Sequence, residues 1–335
     1  MNKKFIVTGG GGFVGRAVIA QLLETYPECQ VVSLSRSVYE DLNEKDRVSS
    51  ISCDLSGPLE PIEEAFYGTH AVFHIAAKAG VWGPEEEYFK ANVVASRNVV
   101  VACRKANVPY LVYTSTPSVV FSGEPFRGEG ESLPYGRNWL CSYAESKATA
   151  EKETLGANEP GRLAVCALRP HLIWGPGDPH IVPRLVDRAQ SGRLRIVGDG
   201  ANKVDISYID NVAAAHLNAL SALQQGKAGG KPYFISQGEP VNLWDWINGL
   251  FECLDMPPLR KKISLTAAYK IGSICEFIWR KLKLSGEPPM TRFVATELGK
   301  DHYFDISAAQ RDLGYIPKVS TEEGLKRTVA WFKNK

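Results

Sequence analysis

The chain has 335 residues, 44% hydrophobic and 23% charged, enough for one large domain or a major and a minor lobe on a shared core, and unlike a disordered polypeptide. Its 39 basic and 37 acidic side chains leave a net charge of +2, a balance that by itself demands neither nucleic acid nor a charged surface as partner. The 7 cysteines are scattered without a CxxC pair, and the 6 histidines show no HExxH spacing, so the sequence predicts reduced thiols in a cytoplasmic protein and no bound metal.

Lys3 and Lys4 precede the apolar Phe5-Ile6-Val7, but glycines follow at once, so no signal peptide is expected. No stretch reaches the roughly 18 to 20 apolar residues of a spanning helix, and the expectation is a soluble chain. In chain order, residues 5–7 read as a strand, 13–25 as a helix, and 31–35 and 71–76 as strands. A helical pattern covers 87–107, a strand 110–115, a helix 142–155 and a strand 164–169. Such alternation predicts an α/β fold, a Rossmann-type doubly wound parallel sheet. After about residue 170 turn residues cluster, as in Gly175-Pro176-Gly177-Asp178-Pro179. The stretch 208–219 reads as a return to the main sheet, with Asp210 capping a helix over 212–220. The expected division is a dinucleotide-binding domain of residues 1–173 and 205–238, and a smaller substrate-binding lobe of 174–204 and 239–335.

Thr8-Gly9-Gly10-Gly11-Gly12-Phe13-Val14-Gly15 follows the first strand and opens the first helix. Glycines there let backbone N–H groups, those of Phe13 and Val14 included, approach a pyrophosphate at the positive helix end. Both a GxGxxG and a GxxGxxG register fit, so Gly9, Gly12 and Gly15 are candidates without the spacing choosing between them. At the end of the second strand stands Ser35-Arg36, where an acid would bind the ribose hydroxyls of NAD. A guanidinium suits a 2′-phosphate instead, and NADPH is the predicted cofactor. Asp54, followed by Leu55, sits where a third strand ends, either as an adenine contact or as an ordinary turn aspartate. Ala76, Ala77 and Lys78 end the fourth strand with room for a dinucleotide.

Tyr143-Ala144-Glu145-Ser146-Lys147 places a phenol and an ammonium on one helix face, one turn apart. Ser142 and Glu145 have capping-box spacing. A neighbouring Lys⁺ is expected to draw the phenol down toward neutral pH, so that Tyr143 serves as the proton donor to a ketone. The strand before Pro117 ends in hydroxyls, Ser115 and Thr116, where a parallel sheet binds its ligands.

These residues, with TGGGGFVG, VFHIAA, YTSTPSVV, YAESK, LRPHLIWGPGD and SYIDNVAAAH in that order, resemble the extended short-chain dehydrogenases/reductases, more narrowly their 3β-hydroxysteroid dehydrogenase branch. The resemblance runs through nearly the whole chain. It implies Thr116, Tyr143 and Lys147 as the catalytic hydroxyl, tyrosine and lysine, Thr116 standing for the commoner serine. It also implies that Lys147 binds the nicotinamide ribose, that Pro170, Leu172 and Ile173 lie against the nicotinamide, and that the chain is a homodimer.

AAKAGVWG, FISQGEP and GEPPMTRF are similar to bacterial reductases of long-chain olefin biosynthesis. Those enzymes use NADPH to convert the ketone of an α-branched long-chain β-keto acid to the 3-hydroxy acid, beside other pathway enzymes. Such a substrate needs a long apolar pocket and a cation for its carboxylate, with Lys78, His171 and Arg184 as candidates. Leu265, Ala268, Tyr269, Ile271, Gly272, Cys275, Ile278, Trp279 and Leu282 recur at helical spacing, as core, as a pocket or lid, or as a membrane-surface face. The alternatives are a 3β-hydroxysteroid or sterol-4-carboxylate dehydrogenase run with NAD(P), a nucleotide-sugar epimerase or dehydratase, and a non-catalytic NADPH sensor.

Overall fold

Runs of β-branched and aromatic residues make strands covered on both faces, and such strands are buried along their length. In the computed structural model, which describes residues 3–334, seven of them form a parallel sheet: β1 (Lys4–Thr8), β2 (Gln30–Ser35), β3 (Val48–Ser52), β4 (Ala71–His74), β5 (Tyr110–Thr114), β6 (Ala164–Pro170) and β7 (Pro232–Ile235). Their order is β7-β6-β5-β4-β1-β2-β3, with Thr8 paired to Leu34 on one side and His74 on the other. Strand order reverses at β1, which opens a crevice above the carboxyl ends of β1 and β4. Alternation sorts the side chains: Phe5 and Val7 join Val18, Leu22, Ala219 and Leu220 on one face, and Ile6 joins Phe66, Val99 and Cys103 on the other.

A second, four-stranded sheet runs Val241–Asn242, Lys203–Val204, His302–Phe304, Phe126–Glu129. Phe126–Glu129 comes from a stretch that the expected division left in the dinucleotide-binding half, yet it pairs with His302–Phe304. Trp174, Trp244, Trp246, Tyr208, Leu250 and Phe251 belong to the core of this region.

Several expected boundaries move. The 87–107 helix is divided into Glu85–Tyr88, a π-helical segment Phe89–Val94, and Ala95–Lys105. Ser142 is the first residue of the Ser142–Gly156 helix, not its cap. Cys141 holds the cap position and makes no side-chain capping bond. Asp210 likewise lies inside the first turn of Ile209–Gln224, where it faces Arg327 at 3.5 Å, and Tyr208 precedes the helix. Among the described residues no helix is long and apolar enough to cross a membrane.

Candidate active site

The glycine loop joins β1 to the helix Phe13–Thr25. Gly9 has φ 68°, and a Cβ there would lie 2.9 Å from Ala76 Cα, so the end of β4 packs directly on the turn. A Cβ on Gly15 would lie 2.2 Å from the Gly9 carbonyl oxygen, to which the Gly12 amide already donates at 2.9 Å. Cβ atoms on Gly10 and Gly11 would lie 2.3 Å from Ser33 Oγ and 2.0 Å from the Tyr39 ring, so the close packing runs through the whole glycine run and both registers remain open. Gly12 caps the helix without a side-chain bond, so the amides of Phe13, Val14 and Gly15 are left for an anion, and the loop fits a pyrophosphate.

Thr8 ties the crevice floor: its Oγ1 bonds His74 Nδ1 at 2.7 Å and accepts the amides of Ile75 and Ala76. Ser35 Oγ accepts the Gly11 amide at 3.4 Å, which sets the end of β2 beside the glycines, with Arg36 exposed next to it. Asp54 Oδ1 accepts from both the amide and the hydroxyl of Ser56. These bonds hold its carboxyl below the usual range, with Arg36 a smaller contributor, and make it a turn residue in this structure. Leu55 is core, Ala76 is half-buried and Ala77 is exposed. The Ser115 Oγ, just past the end of β5, is buried with no partner among the described residues, an unsatisfied polar group at the carboxyl edge of the sheet.

The Ser142–Gly156 helix carries Tyr143 and Lys147. Thr116 starts the short helix Pro117–Val120, its hydroxyl accepting the Ser118 amide at 3.3 Å, and its side chain neighbours the Tyr143 phenol. Burial pushes the Tyr143 phenol up to about 12, offset in part by the neighbouring Thr116 hydroxyl. Lys147, 2% exposed, points to β5: its Nζ donates to the Thr114 carbonyl at 2.7 Å and lies 4.2 Å from the Tyr113 ring centroid. Burial brings this ammonium down to about 7, with Glu151 opposing. Burial, not Lys147, is the largest influence on the phenol, and the ammonium donates instead to a backbone carbonyl.

Tyr143 edges an apolar cluster with Phe121, Phe293, Val81, Trp139, Leu140 and Val294, and its ring lies 6.5 Å from that of Tyr88. Of the cations considered for a carboxylate, Lys78 pairs with Glu87 and lies 5.2 Å over the Tyr88 ring, and Arg184 pairs with Glu287. His171 does not serve: it is buried, its Nε2 is 2.5 Å from His302 Nδ1, and burial with that neighbour keeps it neutral.

His171, His302 and Glu297 have ligand atoms within 4.8 Å of one another. The separation of the two histidine nitrogens is that of a hydrogen bond, closer than the ~3.3 Å between nitrogens on one tetrahedral zinc. Pro170 is buried at the end of β6 and Ile173 is half-buried. Leu172, at φ 39°, lines a cavity of about 110 Å³ with Ile181, Leu185, Leu243 and Trp246 in the second lobe.

Sequence reasoning missed Asn92, in the π-helical segment. Its Oδ1 accepts the Lys78 amide at 2.7 Å, and its Nδ2 donates to the Lys78 carbonyl at 3.1 Å and to Ser146 Oγ at 2.9 Å. It thus clamps the loop after β4 to the tyrosine helix. It also missed Glu151, one turn after Lys147, which forms a fully buried pair with Arg169. The Lys147-to-Glu151 spacing was the available signal.

The pattern of the 3-beta hydroxysteroid dehydrogenase/isomerase family matches residues 6–266. A 2-alkyl-3-oxoalkanoate reductase of Stenotrophomonas maltophilia is 48% identical over 330 residues, 98% of either chain. The protein of the same name from Shewanella oneidensis is 45% identical, covering 97% of this chain and 85% of that one. Among solved structures, a dTDP-glucose 4,6-dehydratase of Streptomyces venezuelae with NAD bound is 22% identical and superposes with a TM-score of 0.77, over 99% of this chain and 97% of that one, a likeness of fold. The chain belongs to the 3-beta hydroxysteroid dehydrogenase/isomerase family and is an oxidoreductase of the extended short-chain dehydrogenase type.

Proposed function

We propose that the chain is an NADPH-dependent reductase that converts the ketone of a 2-alkyl-3-oxoalkanoate to the 3-hydroxy acid, within long-chain olefin biosynthesis in the cytoplasm. The observation that carries this reading is the Tyr143 hydroxyl, set beside Thr116 at the edge of an apolar cluster. A two-chain lipid acid fits such a wall better than a nucleotide sugar does. The names of the two bacterial relatives support the same substrate class.

A bound NADPH supplies a hydride to the ketone carbon. The residues of the chain do the rest. Gly9, Gly12, Phe13, Val14 and Gly15 hold the pyrophosphate, Arg36 and Ser35 the 2′-phosphate, and Lys147 with Ser115 the nicotinamide ribose. Thr116 orients the ketone oxygen and Tyr143 gives it a proton. At neutral pH the phenol is in the protonated form this step needs. Lys78 or Arg184, at the cluster's rim, receives the carboxylate. A homodimer through the exposed faces of Ala95–Lys105 and Ser142–Gly156 belongs to the same reading.

Steady-state reduction of a synthetic 2-alkyl-3-oxo acid tests the assignment. We expect turnover with NADPH preferred over NADH in kcat/KM, and a loss of about 100-fold or more in kcat for Tyr143→Phe with dinucleotide affinity retained. Preferential oxidation of a 3β-hydroxysteroid, or full activity in Tyr143→Phe, would overturn it.

A further inference from the structure

The Leu265–Leu282 helix is fastened along one face and open along the other. Ala268, Gly272 and Glu276 are buried. A Cβ on Gly272 would come within 2.6 Å of the Thr291 backbone, so the helix rests directly on the chain there. Glu276 accepts from the Arg292 amide at 2.7 Å and from its Nε at 2.8 Å.

The opposite face carries Ile271, Ile274, Phe277, Ile278 and Leu282, spaced by three and four residues into one stripe. Ile274, Phe277 and Leu282 are 59%, 63% and 62% exposed, values typical of surface polar residues rather than of an apolar helix face. The helix is well formed: Ser264 caps its start, and Lys283 ends it in a left-handed turn. The sequence had offered Ala268, Gly272, Ile271, Ile278 and Leu282 as a single face. The structure divides them, the first two inward and the others to solvent.

The charge on this element is one-sided. Lys270, Arg280, Lys281 and Lys283 are all exposed, and none forms an ion pair among the described residues. Its one acid, Glu276, is consumed by Arg292. A chain whose total charge is +2 thus gathers four unpaired cations around one apolar stripe. Lys281 Nζ lies 5.7 Å from the Phe277 ring centroid, its stem along the stripe, as a lysine does at an interface between apolar and ionic layers. Pairing this face with the same face of a second copy would bring like charges together, which disfavours self-association. An apolar layer beneath a sheet of anionic groups meets both halves of the pattern.

We propose that this helix docks the enzyme peripherally on an anionic phospholipid surface, with the stripe in the acyl–headgroup boundary and the lysines at the phosphates. Its C-terminal end lies at the rim of the crevice. The Arg280 guanidinium stands 5.3 Å over the Trp82 ring, the Trp82 carbonyl accepts from the Tyr88 hydroxyl at 3.0 Å, and Tyr88 neighbours Tyr143. Docked this way, the enzyme meets the layer beside its own catalytic mouth. The docking stands apart from which ketone is reduced; delivery of a two-chain acid from that layer rests on the proposed function.

Sedimentation of the full chain with phosphatidylglycerol–phosphatidylcholine vesicles, against pure phosphatidylcholine vesicles, tests this. The wild type should bind the anionic vesicles, less so at high salt. Ile274→Asp/Phe277→Asp and Lys270→Glu/Lys281→Glu should each weaken binding by about tenfold or more, with Tm and dinucleotide affinity unchanged. Absence of wild-type binding, or equal binding by both variants, would overturn the proposal. So would a fall in oligomer size in Ile274→Asp/Phe277→Asp without any vesicle binding, which would make the face a self-association surface. A wild type that docks yet reduces no 2-alkyl-3-oxo acid would uphold the docking and remove the substrate reading alone.

Discussion

Tyr143 and Lys147 sit one helical turn apart, and burial moves them in opposite senses: the phenol up to about 12, the ammonium down to about 7. For Lys147 the consequence for stability has a definite sign. An unfolded lysine titrates near ~10.4, so between about pH 7 and that value the unfolded chain binds more protons and stability rises with pH. Lys147→Met removes this slope. The Tm of the variant minus that of the wild type should be largest below about pH 7 and shrink toward about pH 10, over a constant cost for the Thr114 carbonyl left without its donor. Scanning calorimetry across that range checks it, and a pH-independent difference would refute it. The pairing of tyrosine and lysine was legible because a four-residue spacing is local. The direction in which Lys147 points was not, because its partner is 33 residues away.

Among the elements, the Phe89–Val94 π-helical segment is the least foreseeable. One extra residue per turn leaves no mark on apolar periodicity, which reads straight through from 87 to 107. Its effect is to turn Asn92 inward, where three hydrogen bonds join Lys78 and Ser146. Asn92→Leu strands a buried amide and a carbonyl, and should lower the unfolding free energy by about 2 kcal/mol or more in urea titration. It should also reduce kcat more than dinucleotide affinity. Asn92→Asp, which keeps the acceptor for the Lys78 amide, should recover part of both. Unchanged stability in Asn92→Leu would remove the clamp. By contrast the strands and the glycine loop were readable, since β-branched runs and a glycine cluster state local backbone preferences.

At the scale of the whole molecule the two sheets are interleaved in sequence. The smaller one takes strands from residues 126–129, 203–204, 241–242 and 302–304, around the larger sheet's β6 and β7. His171, just after β6, bonds His302 across the junction. Neither lobe can then unfold without removing strands or partners from the other. The calorimetric and van't Hoff enthalpies should agree in one transition, and two resolved transitions would show that the lobes are independent.

The sequence by itself determined the doubly wound sheet, the glycine loop and the one-turn spacing of Tyr143 and Lys147, because each rests on spacing within a dozen residues or on short strands with obvious periodicity. Only the tertiary structure decided where Lys147 donates, that His171 is buried against His302, that Asn92 clamps the site, and which side of the 265–282 helix meets water. Those outcomes depend on contacts between distant segments, and no local pattern carries that information.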